Sequence, residues 1–225
     1  MKALYLIRHG QTDWNVENRM QGHLDSPLTE IGRGQAGLHG KTLKACAGIS
    51  QLIASPSGRT RETAYILNSY LKASLHFDES LLERDCGEWS GRTLTEIATE
   101  YPRSWKARME DGYHHRPPGG ENHQDMLQRV QALLDALIES EVDEIGLVTH
   151  GVMSRVILSY FLNLTPMETN RVRHPNDLFY RLEFGSQQVQ ANHFVKGNGP
   201  ISGLLHRTDS GTIPPAGEHR KGSGE

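Results

Sequence analysis

The chain has little cysteine and no long apolar run. Its only cysteines, Cys46 and Cys86, are far apart, which excludes a CxxC redox motif and a disulfide scaffold and points to a reducing compartment. The opening run Ala3-Leu4-Tyr5-Leu6-Ile7 ends at Arg8, short of the apolar core of an export signal. The stretch around Val156 to Leu162 is broken by Ser159 and falls well below the ~20 residues of a membrane span. These absences lead to the expectation of a soluble, cytoplasmic protein. An excess of positive charge is also missing. With 24 Lys+Arg against 27 Asp+Glu and a formal charge of -3, no global field exists to hold nucleic acid or an anionic membrane. Any anion site must therefore be local. What is present, 36% hydrophobic and 23% charged residues in 225, suits one folded domain with a real core.

Ala3 to Ile7, Ile49 to Ala54 and Ile145 to Val148 are short continuous apolar runs, the pattern of strands buried on both faces. Helical patterns lie between and after them. Glu30 to Lys44 follows Thr29, a good N-cap, and Arg59 to Leu71 places Thr63, Leu67 and Leu71 on one stripe. Asn122 to Glu139 carries Met126, Leu127, Val130, Leu133, Leu134, Leu137 and Ile138 on a broad apolar face, and Val152 to Leu162 precedes Pro166. Gly32, Gly34, Gly37 and Gly40 each cost about 1 kcal/mol in a helix interior, so tertiary packing must hold the first of these helices.

Strands alternating with helices predict an α/β three-layer sandwich, its mainly parallel central sheet flanked by helices. Asp177 to Phe184 and Gln187 to Phe194 alternate around Gly185-Ser186 and read as an added hairpin, whose edge could pair two copies into a homodimer. The expected organisation is a single domain over 1–195, with a lid-like insertion at about 92–120 and a flexible tail over 196–225.

In open α/β sheets ligands bind beyond the carboxyl ends of the strands. Arg8, His9, Arg59 and His150 all follow such ends and should converge. Two imidazoles and two guanidiniums in one crevice form a receptor for a tetrahedral dianion, and phosphate is the obvious guest.

Arg8-His9-Gly10, followed by Asn15, Gly22 and Pro27-Leu28-Thr29, resembles the opening signature of the histidine phosphatase superfamily, or phosphoglycerate mutase-like family. Four further pieces match in order: Ser55-Pro56 with Arg59 and Thr63-Ala64; Glu83 with Gly87, Trp89 and Gly91; Pro118-Gly119-Gly120-Glu121; and Thr149-His150-Gly151. The likeness covers roughly residues 3 to 185. It implies a phosphoglycerate mutase-like fold and a phosphomonoesterase of small phosphorylated metabolites that needs no metal or cofactor. It further implies that His9 becomes a phosphohistidine, that Arg8, Arg59 and His150 hold the phosphoryl oxygens, and that Glu83 is the proton donor. Asn15 and the backbone at Gln21, Gly22 and Gly151 would add donors to the phosphate.

Two other activities use the same residues: a cofactor-dependent phosphoglycerate mutase and a non-catalytic phospho-ligand binder. Only Arg92 to Pro117 separates the acid's motif from Pro118, and Gly87-Glu88-Trp89-Ser90-Gly91 is closer to the phosphatase branch. A zinc hydrolase built on His9 and His150 is disfavoured, since no HExxH spacing exists and Arg8 would repel the metal. For single residues the plainer readings stand beside these. Asp85 and Glu88 rival Glu83 as the acid, Trp89 suits packing as well as a substrate wall, and the remaining histidines read as surface residues. His114-His115-Arg116, with Arg103, Lys106 and Arg108 nearby, reads as a solvated face or as a contact for a second anionic group.

Overall fold

The computed structural model describes residues 1–186 and 188–207. The first apolar run becomes β1 (Ala3–Arg8), and the two later runs become β2 (Gln51–Ala54) and β4 (Glu144–Thr149), with β3 (Ser74–Phe77) between them in sequence. The expected hairpin is β5 (Leu178–Phe184) with β6 (Val189–Val195), and β7 (Asn198–Ser202) follows. These form one sheet in the order β3-β2-β4-β1-β5-β6-β7. β3, β2, β4 and β1 run parallel, whereas β5, β6 and β7 add to the β1 side antiparallel.

Alternation along β1 decides the layers. Leu4 and Leu6 face a core shared with Met126, Val130 and Leu134 of α6 (His123–Ile138) and with Met153 and Ile157 of α7 (Gly151–Leu162). Tyr5 and Ile7 face the other core, with Leu43 of α2 (Glu30–Cys46) and Leu67 of α3 (Gly58–Leu71). Helices thus cover both faces of the sheet. Each fully buried Leu or Ile side chain contributes roughly 1.5–3 kcal/mol, enough in sum that no staple is needed. Ile138, counted on the α6 apolar face, is instead exposed at the helix end.

The glycines of α2 divide by contact. A Cβ on Gly32 would lie 2.1 Å from the Gln11 carbonyl oxygen and one on Gly40 would lie 2.5 Å from the Tyr70 ring, whereas Gly34 faces open space. Close approach explains Gly32 and Gly40. At Gly34 nothing opposes a side chain.

The expected insertion contains α4 (Leu94–Glu100) and α5 (Pro102–Glu110). A capping box of Thr93 and Glu96 starts the first helix, and Pro102 starts the second. Their small core joins Cys86, Trp89 and Ile97 to Met20, Tyr101 and Trp105. Backbone bonds from Met20 to Arg92, Gly91 to Met20 and Leu94 to Asn18 stitch the segment to the loop after α1 (Asp13–Val16).

The expected flexible tail over 196–225 is corrected at its start. β7 pairs with β6, and Val172 bridges His206 after α8 (Pro166–Arg171). Lack of aromatic residues does not stop a segment from adding backbone hydrogen bonds to an open sheet edge. The rest of that expectation, 208–225, lies outside the described residues. Among the described residues no helix is long and apolar enough to cross a membrane.

Candidate active site

Register places the site. Arg8 pairs with Thr149 and Ala54 with Val148, so His9, His150 and Ser55 each stand one residue beyond adjacent parallel strands. His9 and His150 meet with ring centroids 5.3 Å apart, and both are buried. The His9 Nδ1 lies 2.8 Å from the Gly10 carbonyl oxygen. A carbonyl can only accept, so Nδ1 carries the proton and Nε2 keeps a free lone pair. The Gly10 amide donates to Thr63 Oγ1 at 3.1 Å, and Asn176 Nδ2 donates to the His9 carbonyl at 2.8 Å. Both anchor the backbone that carries the ring.

Burial, then the charges of Arg59 and Arg8, push the His9 pKa well below its ordinary value. His150 is pushed the same way by burial, Arg59, His9 and Arg8. Both imidazoles are therefore neutral at neutral pH. His150 Nε2 lies 2.8 Å from Ser55 Oγ, and its Nδ1 is buried without a partner. If the Ser55 hydroxyl donates, Nδ1 carries the proton toward the crevice.

The two predicted arginines are aimed by protein acceptors. Arg59, 1% exposed, donates from Nη1 to the Leu24 carbonyl at 2.7 Å and to Asp25 at 2.8 Å. Its Nη2 donates to the Gly22 carbonyl at 2.9 Å, while its buried Nε has no partner. Arg8 donates from Nη1 to the His174 carbonyl at 2.8 Å and likewise keeps a free buried Nε. Each fork thus retains N–H groups for a bound anion.

Glu83 sits at the start of α7. Its Oε1 accepts from the Arg84 amide at 2.9 Å and from the Met153 amide at 3.1 Å, and its Oε2 accepts from the Val152 amide at 3.1 Å. Arg129 and Glu121 hold the loop in place. Arg129 reaches the carbonyls of Ser80 and Leu82 and pairs with Glu121, which accepts from the Asp85 amide at 2.9 Å. A Cβ on Gly87 would strike the Pro118 carbonyl at 2.1 Å, and one on Gly120 the Asp85 carbonyl at 2.5 Å. The two glycine motifs therefore pack against each other to set the Glu83 loop. Neither Asp85 nor Glu88 shares this arrangement: the Asp85 carboxylate accepts from the Gly87 amide.

Asn15 lines a small cavity with Arg8 and Asn176, while its Oδ1 accepts from the Thr12 amide in a capping box. Gln21 is buried and donates to Thr12 Oγ1 at 2.9 Å. The Gly22 carbonyl is taken by Arg59, and its φ of 54 is the left-handed region that glycine tolerates. A Cβ on Gly151 would come within 3.3 Å of the Arg8 guanidinium carbon, so glycine there admits the fork beside the helix start. A cavity of about 400 Å³ opens onto Arg8, Glu83 and Gly151.

Several residues escaped sequence reasoning. Asn176 donates to the His9 backbone carbonyl and nothing in its spacing marks it, while Ser55 belongs to the Ser55-Pro56 motif but its bond to the His150 ring could not be read from it. The histidines read as surface residues include four buried ones, His39, His123, His174 and His193. Burial, with Arg8 beside it, lowers His174 to about 3, and burial with Arg155 and Arg84 lowers His123 to about 3. Trp89 is fully buried and stacked on His115, which makes it packing. His114 is bound to Asp111, His115 to Ser104, and Arg116 to Asp125. Their partners are internal.

Comparison with known proteins agrees with this geometry. A sequence profile described as histidine phosphatase superfamily (branch 1) matches residues 4–196. A protein named probable phosphoglycerate mutase GpmB from Salmonella paratyphi B is 34% identical over 197 residues, 87% of this chain and 91% of that protein. The structure of a mycobacterial glucosyl-3-phosphoglycerate phosphatase in complex with VO3 superposes with a TM-score of 0.77 at 29% identity, over 88% of this chain and 100% of the other. Bacillus stearothermophilus YhfR gives 0.78 at 31% identity, over 88% and 98%. Match and fold together show that this chain belongs to the histidine phosphatase superfamily, branch 1.

Proposed function

We propose that the protein is a metal-independent phosphomonoesterase that works through a phosphohistidine on His9. The observation that carries this reading is the bond from His9 Nδ1 to the Gly10 carbonyl, which leaves Nε2 unprotonated between Arg8, Arg59 and His150. Nε2 attacks phosphorus, the P–N bond forms and the P–O ester bond breaks. The guanidiniums and the His150 ring receive the negative charge that develops on the phosphoryl oxygens.

Glu83 gives the leaving oxygen its proton. In the free protein its carboxylate accepts from three amides, which fix it beside the cradle. In the second half, Glu83 removes a proton from water as the water attacks phosphorus, the P–N bond breaks, and phosphate leaves. Asn15, Gln21, Gly22 and Gly151 frame the phosphate. The substrate is a small phosphorylated metabolite, consistent with the cavity beside Arg8 and with the phosphatase to which the chain is similar.

A mutase is the second reading, favoured by the likeness to a protein named probable phosphoglycerate mutase. Assaying released inorganic phosphate against isomerised phosphoglycerate, for wild type and His9→Ala side by side, decides between them. The phosphatase reading expects free phosphate from wild type alone. Isomerisation without release would overturn it.

A further inference from the structure

A cavity next to the site has an unusual lining. It measures about 830 Å³ and is bordered by Arg84, Arg108, Arg155 and Arg207. Arg155 and Arg207 also border the inner cavity, where Arg8 and Glu83 lie, so the two spaces share a wall beside the phosphate cradle. Among the described residues none of these four guanidiniums forms an ion pair with a carboxylate. Arg84 is 3% exposed, and its Nε is buried without a partner. Arg108 lies over the Trp105 ring at 5.0 Å instead of on an acid. The nearby acids are engaged elsewhere: Asp111 with His114, and Glu110 with Lys106.

Several arginines elsewhere in the protein are paired with acids. Arg59 meets Asp25, Arg116 meets Asp125 and Arg129 meets Glu121. Burying a cation without a partner is costly, and Arg84, Arg108 and Arg155 are each buried or half-buried, with the exposed Arg207 adding its charge at the rim. Burial lowers Arg155 to about 9, with the Glu83 carboxylate pulling it up and the neighbouring arginines pushing it down, and burial with the neighbouring arginines lowers Arg108 to about 10, which still leaves both charged at neutral pH. Such a cluster is stabilised when a multiply charged anion arrives. Guanidinium forks match the oxygens of phosphate in pairs, and a dianion with three free oxygens can accept from several forks at once, which a single carboxylate cannot.

We propose that this chamber binds a second, non-reacting phosphate of the substrate, so that the enzyme prefers bisphosphorylated compounds to the corresponding monoesters. The proposal rests on the phosphomonoesterase reading and adds the substrate class. It also moves the second anion site away from His114, His115 and Arg116, whose side chains are already engaged, to arginines from the Glu83 loop, α5, α7 and the segment after β7.

The test uses a homologous series of α,ω-alkanediol bisphosphates of increasing spacer length, each against its own monophosphate, with p-nitrophenyl phosphate in parallel. The wild type is expected to show kcat/KM roughly tenfold higher for at least one bisphosphate than for its monophosphate, the size of one or two charge-assisted hydrogen bonds. Arg108→Gln, on the partly exposed helix, should bring that ratio close to one. Arg155→Lys keeps the charge but loses the fork and should lower the ratio by a smaller factor. Hydrolysis of p-nitrophenyl phosphate with no bisphosphate advantage at any spacer would overturn the second site and leave the phosphatase reading intact. An advantage that survives Arg108→Gln unchanged would also overturn it. No phosphate release from any of these compounds would overturn both.

Discussion

The inner crevice and the outer chamber handle positive charge in opposite ways. At the strand ends, Arg8 and Arg59 are each turned by protein carbonyls, and Arg59 also by Asp25. In the chamber, Arg84, Arg108, Arg155 and Arg207 have no carboxylate partner among the described residues. The difference teaches a division of labour. Groups that must stabilise a transition state are held before the substrate arrives, so that little reorganisation is needed during the reaction. Groups that recognise a remote part of the substrate can take their final direction from it, and their number sets specificity more than rate.

Removing the His9 ring should break the comparison most completely. His9→Ala leaves both sets of arginines but no nucleophile, and phosphate release should fall by roughly 10⁴-fold or more. Retained turnover would mean that the inner crevice only binds. Next in size is Glu83→Gln. Alkyl phosphates, whose leaving oxygen needs a proton, should slow by roughly 10²–10⁴, while p-nitrophenyl phosphate, with a stable leaving anion, should lose far less. Equal losses on the two substrates would remove Glu83 from proton transfer.

Smaller effects sharpen the contrast. Ser55→Ala frees His150 Nε2 and the control of its tautomer, so kcat/KM should drop roughly tenfold, the worth of one hydrogen bond to a group that becomes charged or contacts an anion. Ser55→Thr, which keeps the hydroxyl, should restore most of it. Full activity in Ser55→Ala would show that the tautomer is set by other means.

Acid should weaken the fold through the same buried rings. His123 and His174 are lowered to about 3, so they are neutral when folded and protonate on unfolding. The unfolded chain then binds more protons below pH 6.5. Their contribution is fully present above that value and is lost as pH falls toward 3. Between pH 7 and pH 5 each should remove about 2 kcal/mol of stability. Urea unfolding at the two values measures this, and an unchanged midpoint would contradict the burial of neutral imidazoles.

Much of the inner crevice was legible because it is written locally. Arg8-His9 and His150 follow short apolar strands directly, and the rule that ligands bind beyond parallel strand ends brings them together without any knowledge of helices. Glu83 was legible only through the family resemblance, since no periodicity marks it out from Asp85. The flanking helices of the sandwich followed from their apolar stripes. β3 and β7 did not, because edge strands lack a continuous apolar run: β3 is half exposed and β7 wholly so. The outer chamber was illegible for a different reason. Its four arginines come from separate elements, and that the nearby acids Glu110 and Asp111 pair with Lys106 and His114 instead is a property of space and not of sequence. His114, His115 and Arg116 drew attention because they are adjacent in the chain, but adjacency does not reveal that Asp111, Ser104 and Asp125 already satisfy them.

The central claim, covalent catalysis by His9, is tested most directly by trapping. Wild-type enzyme quenched during turnover of a radiolabelled phosphoester, then mapped by peptide, should carry an acid-labile, alkali-stable phosphoryl group on His9 that is absent from His9→Ala. Sustained phosphate release by wild type with no label on His9 at any quench time, together with turnover by His9→Ala, would contradict the account.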